Sequence, residues 1–359
     1  MANRIWTRSP FYVVDSRTNS GSPLATAKLH LWISEGAVNT SGTADYQLLT
    51  KAIDGSVTFE ISGMIRDFLD DNFSGTYSES DDNQRFASYA IEGVYEDWTT
   101  NTTTVISYEA YDGYTYFTDG VQRDLNGVLT TPSVSKSVLR STDTIYKPEG
   151  ENISFGVNIT QTATSVRVLS ASGGSTTLLS GIVATDSDEI IRYLTSATSD
   201  VVKIVTYVGA SLTETINVVD VCEHKYTPVR VTFVNKFGAM EDVWFFKASK
   251  EALTTKNEKY TANMIAVGTY ATNRRQNVIY DKNGTQTITL NSGYYDESYN
   301  EVFKQLSLSE SVWLKASDGK ILAINIKSSN LQYKTKLSDK LINYTIEAEY
   351  ASSTINNVR

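Results

Sequence analysis

Alternation of apolar and polar residues predicts β-strands wherever a pattern can be read along the chain. From Ala27 to Ile33, the apolar positions Leu29, Leu31 and Ile33 fall on one face, while His30 lies on the less apolar face. Similar short runs follow one another in the middle of the chain, at 165–169, 176–179, 190–194, 201–208 and 214–219. Regular short strands of this kind predict an all-β protein built from β-sandwich domains.

Two glycine-containing turns predict β-hairpins. Asp112-Gly113 separates the strand-like residues 104–111 from residues 114–117. Because Asp-Gly favours the type I′ turn, which needs positive φ at both central residues, we expect a hairpin from about Ile106 to Phe117. Gly173-Gly174, between 165–169 and 176–179, predicts a second hairpin.

Helical periodicity is confined to two short segments. The first is predicted by four apolar positions at helical spacing, with Ser62 as a possible N-cap: Ile61, Ile65, Phe68 and Leu69. The second is predicted in the same way: Tyr299, Val302, Phe303 and Leu306. Each is two or three turns long, the size of a connecting helix packed on a sheet.

Turn-forming segments divide the chain into three predicted domains. Residues 131–150 and 220–228 interrupt the strand pattern with proline and polar residues. We therefore expect an N-terminal β-sandwich at 1–135, an immunoglobulin-like β-domain at 136–225 and a C-terminal β-domain at 226–359. The last could pack with the first, and the pattern leaves open whether the middle domain is inserted or in series.

Composition limits the function. The 359 residues carry a net charge of −9, so the electrostatic attraction to a phosphate backbone is missing and no nucleic-acid contact is expected. A single cysteine, Cys222, excludes an internal disulfide and a multi-cysteine metal site. No apolar run approaches the length of a membrane span, and the first ten residues lack the apolar centre of a secretory signal.

Charge is distributed unevenly along the chain. Residues 1–135 carry 8 basic and 18 acidic side chains, a net charge of −10, and residues 136–225 carry −3. Residues 226–359 carry 17 basic and 13 acidic side chains, a net charge of +4. A chain that is acidic at one end and basic at the other is suited to head-to-tail association with copies of itself.

No group of residues predicts a catalytic or metal site. Two acidic clusters could bind calcium or act as an acid–base pair. Neither has the Asp-x-Asp-x-Asp-Gly spacing, and we interpret both as solvated loops. The first contains Asp67, Asp70, Asp71, Glu79, Asp81 and Asp82, and the second contains Asp186, Asp188 and Glu189. Cys222 and His224 would lie on the same face of a strand and could form a nucleophile–base pair. The sequence shows neither a third group to orient the imidazole nor an oxyanion loop, so we expect no catalytic role for them. We expect no catalytic residue, no cofactor and no metal, and therefore not an enzyme.

Carbohydrate binding is the alternative that the aromatic residues suggest. Tyrosines and a tryptophan crowd the N-terminal part and could offer stacking platforms, although tyrosine is equally common inside sheets and at interfaces. The residues are Tyr77, Tyr89, Tyr95, Trp98, Tyr108, Tyr111, Tyr114 and Tyr116. The alternative function is thus a carbohydrate-binding module.

Both ends of the chain carry patterns of strand and turn residues that are similar to one class of protein. At the N-terminus these are residues 8–12 and 29–33, and in the C-terminal third residues 226–246, 291–297, 302–313 and 333–351. These segments resemble virion structural proteins of tailed bacteriophages, particularly phages of Bacteroidetes and related marine hosts. The resemblance covers roughly half of the chain and leaves the middle domain unmatched.

The resemblance implies a structural component of a phage tail, at the baseplate or distal end or in a ring or hub. It transfers no catalytic residue. The alternative that remains beside it is a carbohydrate- or receptor-binding module of a tail spike or bacterial surface. The resemblance also implies that the chain is made in the host bacterial cytoplasm and assembles, as a symmetric ring of copies with other tail proteins, into the virion tail.

Overall fold

The computed structural model describes residues 4–35, 38–77, 84–119, 137–158, 165–180, 191–223, 225–263, 268, 271–327 and 341–355. Strands dominate these residues, which confirms the predicted all-β class. The chain divides into two compact units, Met1–Cys222 with Phe233–Val243, and Glu223–Thr232 with Trp244–Arg359. The three-domain division stays a prediction.

The N-terminal part of the first unit is a two-layer β-structure. A six-stranded sheet in the order β1-β8-β6-β3-β4, with β7 beside β6, shares its core with the β2–β5 pair. Leu29 and Leu31 of β3 are fully buried in that core, as their alternation predicts. The elements are β1 (Arg4–Trp6), β2 (Tyr12–Asp15), β3 (Leu24–Ser34), β4 (Tyr46–Lys51), β5 (Val57–Glu60), α1 (Ser62–Arg66), β6 (Gln84–Tyr95), β7 (Thr100–Thr102), β8 (Ile106–Tyr111) and a 3₁₀ turn (Phe117–Asp119).

The predicted hairpin at Asp112-Gly113 is wrong. β8 ends at Tyr111 and pairs with β6 and, in parallel, with β1. Residues 114–119, which directly follow Gly113, contain no strand. The amide of Tyr114 instead donates to the carbonyl of Lys236, 2.9 Å away. The type I′ geometry occurs at another Asp-Gly pair, since Asp54 and Gly55 have φ of 50° and 72°.

The first predicted helix is present but shorter than its apolar positions suggest. α1 ends at Arg66, so Phe68 and Leu69 lie beyond it. Ser62 is not the cap: Ile61 occupies the N-cap position, and the Ser62 hydroxyl donates to the Glu60 carboxylate.

The middle of the chain forms a second two-layer β-structure within the first unit. A five-stranded sheet in the order β12-β11-β14-β15-β9 shares one core with the β10–β13 pair. The predicted hairpin at Gly173-Gly174 is confirmed as the β11–β12 turn, and β9 runs parallel to β15. The strands are β9 (Thr144–Pro148), β10 (Ser154–Asn158), β11 (Ser165–Ser170), β12 (Ser175–Ser180), β13 (Ile191–Thr195), β14 (Val201–Val208) and β15 (Ser211–Val221).

Most of the second unit is one sheet with a helix packed on it. The seven-stranded sheet has the order β17-β16-β21-β22-β24-β19-β18, and parts of β16 and β17 belong to the first unit. The second predicted helix is confirmed as α2, in which Val302, Phe303 and Leu306 are buried. The elements are β16 (Val229–Val234), β17 (Met240–Phe245), β18 (Lys250–Thr261), β19 (Asn277–Asn291), β20 (Tyr295–Asp296), a 3₁₀ turn (Glu297–Tyr299), α2 (Asn300–Leu308), β21 (Val312–Lys315), β22 (Ile321–Ile326), β23 (Leu341–Ile342) and β24 (Thr345–Tyr350).

The turn between β16 and β17 belongs to the first unit although it lies late in the sequence. Asn235 is fully buried, and its side-chain amide donates to the carbonyl of Leu139 and to Glu241 Oε2 at 3.0 and 2.9 Å. Arg140 Nη2 lies 3.1 Å from Glu241 Oε1, with both side chains buried. A buried charge needs such a partner, so this charged pair links the β16–β17 turn to residues just before β9 of the second two-layer β-structure.

Candidate interaction surfaces

β18 and residues 277–289 of β19 form a two-stranded ribbon at one edge of the seven-stranded sheet, which we call the ribbon. All twelve residues of β18 are exposed, and β18 pairs with β19 alone among the described residues. On the far side of β19, β24 pairs only with residues 287–291. The carbonyl of Gly284 accepts the amide hydrogen of Thr354 at 3.0 Å, and from there to the start of β19 the described residues pair as two strands only.

The ribbon combines apolar side chains with a positive charge. Residues 250–282 carry six basic and three acidic side chains, a net charge of +3. Its large exposed apolar residues are Leu253, Tyr260, Ile279 and Tyr280. The edge of β18 presents backbone donors and acceptors to any strand that approaches, so it has the chemistry of a strand-addition site.

The opposite charge is found beside β4, the edge strand of the six-stranded sheet. We call residues 45–56 and 96–98 the acidic edge. They carry four acidic side chains and one basic side chain, a net charge of −3. Within the described residues β4 pairs only with β3, so its outer backbone edge has no strand beside it.

Three large apolar side chains stand out from the acidic edge. Leu49 is 75% exposed, Ile53 76% and Trp98 87%. The turns that carry Ile53 and Trp98 both contact Pro23, since the Pro23 carbonyl accepts from the Glu96 amide at 3.1 Å and the Pro23 Cβ is 3.3 Å from the place of a Cβ on Gly55. An apolar patch rimmed by charge is typical of a protein-binding surface.

Trp98 is held in an unusual backbone conformation. Its φ is 62°, a left-handed value that is costly for a residue with a bulky side chain. The neighbouring carboxylate stabilises the turn: Asp97 Oδ1 accepts from the Thr99 hydroxyl at 2.6 Å and from the Thr99 amide at 3.0 Å. These hydrogen bonds, led by that of the hydroxyl, hold the pKa of Asp97 below its usual value, so the carboxylate stays ionised near neutral pH.

Cys222 has a carboxylate for a partner. Its thiol is exposed and lies 3.0 Å from Glu149 Oε2. The adjacent Glu223 accepts from Lys247 Nζ at 2.5 Å, and this hydrogen bond lowers the pKa of Glu223. His224 lies outside the described residues, so the pairing of Cys222 with His224 stays an open question on the sequence.

The acidic clusters fall partly outside the described residues. Glu79, Asp81, Asp82, Asp186, Asp188 and Glu189 are not described, whereas Asp67 accepts a hydrogen bond from the Tyr46 hydroxyl at 3.2 Å. In the described part of the chain, no three His, Cys, Asp or Glu side chains come together as a metal site would require.

The aromatic residues considered as sugar platforms are mostly inside the fold. Among the eight, five are buried, namely Tyr89, Tyr95, Tyr108, Tyr111 and Tyr114. Tyr89 and Tyr108 stack at 5.8 Å between ring centroids, and burial together with their hydrogen bond raises the pKa of Tyr89. Tyr77 and Tyr116 are half-buried, which leaves Trp98 as the one ring of this group that is largely exposed.

His30 lies half-buried on the outer face of β3, opposite the core-facing leucines, as predicted. Its Nε2 is 3.5 Å from Glu92 Oε2, and its ring stacks on Trp32 at 6.0 Å. The alternation of β3 places His30 on the outer face, and its contacts with Glu92 and Trp32 explain why it is half-buried there.

The ribbon is the feature that the sequence analysis missed. Its strands show no apolar face because both faces of a two-stranded ribbon are exposed, so period-2 alternation gives no signal there. The available signal was the run of threonines and tyrosines, which have high β-propensity, between charged residues.

Comparisons with protein-family models and with curated protein sequences found no match. In the residues that the structure describes, no helix has the length and apolar character needed to cross a membrane.

Proposed function

We propose that this chain is a structural component of a bacteriophage tail, at the baseplate, distal tail or a ring or hub, that assembles as a symmetric ring by head-to-tail contacts. The observation that carries the assembly is the pair of strand edges of opposite charge, one in the first 135 residues and one in the last third. Like charges keep two copies of the same edge apart, whereas opposite charges favour contact between different edges.

Heterologous contacts of this kind close into rings when the rotation between neighbours closes. A stable contact needs on the order of 1,200–2,000 Å² of buried surface, with aromatic residues near its centre. The exposed Trp98 and the tyrosines of the ribbon provide such residues. The function is therefore to build a particle, with no reaction assigned to the chain.

The assignment to a phage tail rests on the resemblance at both ends of the chain. Its C-terminal segments form β16, the β16–β17 turn, β17, α2, β21 and β24. These are elements of sheet structure and packing, which suits a structural role. The middle β-structure, whose last strand pairs in parallel with its first, supports the immunoglobulin-like prediction.

Two measurements test the proposal. Mass photometry of the purified chain at rising concentration should give one closed oligomer of fixed stoichiometry. Electron microscopy of the phage particle should locate the chain as a ring in the tail. A chain that is monomeric both in solution and in the particle, or that forms only two-fold dimers, would refute the ring.

A further inference from the structure

We propose that neighbouring copies join by strand addition: β18 of the ribbon in one copy pairs with β4 of the acidic edge in the next. This inference rests on the proposed function, because it names the contact through which the ring would form. It identifies a second copy of this chain as the partner of both surfaces.

Charge is the first argument. The ribbon segment 250–282 carries +3, which includes Arg274 and Arg275 between its two strands, and the acidic edge carries −3 from four carboxylates that flank β4. The two surfaces therefore attract each other through the charges around the paired strands. Pairing of β18 with a second β18 across a two-fold axis would bring like charges together. The charges therefore select the heterologous contact over the isologous one.

Strand geometry is the second argument. β18 has twelve residues and β4 has six, and each lies at the end of its sheet in the described residues. Six residues of β18 are enough to pair with all of β4. The backbone hydrogen bonds supply affinity, while alternate side chains supply specificity.

The other end strands of the three large sheets fit less well. β1 has three residues, two of which are buried core residues. β9 ends in Pro148, which lacks an amide hydrogen, and β17 is largely buried. β12 is largely exposed, but neither this strand nor the β11–β12 turn carries an acidic residue, whereas carboxylates flank β4 at both ends.

Apolar contact is the third argument. Leu49 on β4 is 75% exposed and Leu253 on β18 is 56% exposed, although each belongs to a sheet with a well-filled core. Exposed large apolar side chains on edge strands favour aggregation unless a partner covers them. A neighbouring copy would bury Leu49, Ile53 and the ribbon's tyrosines together.

A cross-linking experiment tests the contact directly. Two variants are made in a Cys222→Ser background, one with Leu49→Cys and the other with Asn257→Cys, both at exposed positions. Treated with a short bis-maleimide, an equimolar mixture should give a covalent dimer, whereas neither variant alone should. A chain carrying both cysteines should give a ladder that ends at the ring size.

Each other outcome overturns the inference in a distinct way. A dimer from the Asn257→Cys variant alone would mean that ribbons pair with each other. A ring that forms without any cross-link in the mixture would place the contact on another surface and leave the proposed function standing. A chain that stays monomeric would refute the proposed function itself.

Charge reversal provides an independent readout. Lys256→Glu with Lys259→Glu in the ribbon should weaken association by about tenfold or more, because like charges then face the acidic edge. Lys203→Glu with Lys315→Glu is the matched control, since both lysines are exposed on other strands and the net charge changes equally. Equal weakening in the two variants would show that only net charge matters and would contradict the contact.

Discussion

Gly113 has no room for a side chain. A Cβ at this position would lie 2.9 Å from the carbonyl oxygen of Lys236 and 3.0 Å from Cδ1 of Trp6. The Gly113→Ala substitution should therefore destabilise the first unit by about 1–3 kcal/mol, the usual range for overpacking. Chemical denaturation measures this change, and Gly173→Ala is an informative comparison because open space surrounds Gly173 while its φ is positive. Unchanged stability of Gly113→Ala would mean that the close approach is absent.

The buried pair of Arg140 and Glu241 should be costly to break. Glu241→Gln removes the carboxylate charge that lies beside the buried guanidinium and should lower the free energy of unfolding by about 3–5 kcal/mol. Glu251→Gln, on the exposed ribbon, is the matched control and should change stability little. The double variant Arg140→Met with Glu241→Gln should recover part of the loss, because it removes both charges and keeps a side-chain oxygen that can accept from Asn235 and Ser141. A cost of Glu241→Gln no larger than the control's would argue against the pair.

At the scale of elements, the ribbon should be the least protected part of the second unit in the isolated chain. Two strands alone are marginally stable in water, and residues 257–261 and 277–282 have no third strand in the described structure. Hydrogen exchange should therefore be fast at their amides and slow at residues 287–289, which have strands on both sides. On assembly the amides of β18 should gain protection. No gain in the assembled ring would show that β18 is not at the contact.

For the whole molecule, the uneven charge predicts salt-dependent assembly. Screening shortens the range of attraction to about 8 Å at physiological ionic strength and about 3 Å at 1 M salt. Charges at an interface mainly affect orientation and the association rate, so raised salt should slow ring formation more than it loosens the finished ring. Stopped-flow light scattering at several salt concentrations measures the rate, and size-exclusion chromatography measures the ring. Assembly that is faster at high salt would indicate apolar contacts alone.

The sequence by itself determined the class of the fold and much of its local structure. Alternation correctly placed Leu29 and Leu31 in the core, and the double glycine at 173–174 predicted a real hairpin, because both signals act between residues close in sequence. The α2 positions were found for the same reason. The difference in charge between the two ends was also readable, since it is a property of composition.

Only the tertiary structure decided which Asp-Gly pair makes a turn and where strand edges are left without a neighbour. Asp54-Gly55 forms the type I′ turn, whereas the residues after Gly113 bind to Lys236, more than a hundred positions away, and so cannot fold back on β8. Periodicity likewise could not predict the ribbon or the acidic edge, because it shows that a residue run forms a strand and does not show which other strands lie beside it. Pairing between distant strands depends on the packed core as a whole, and no local pattern records it.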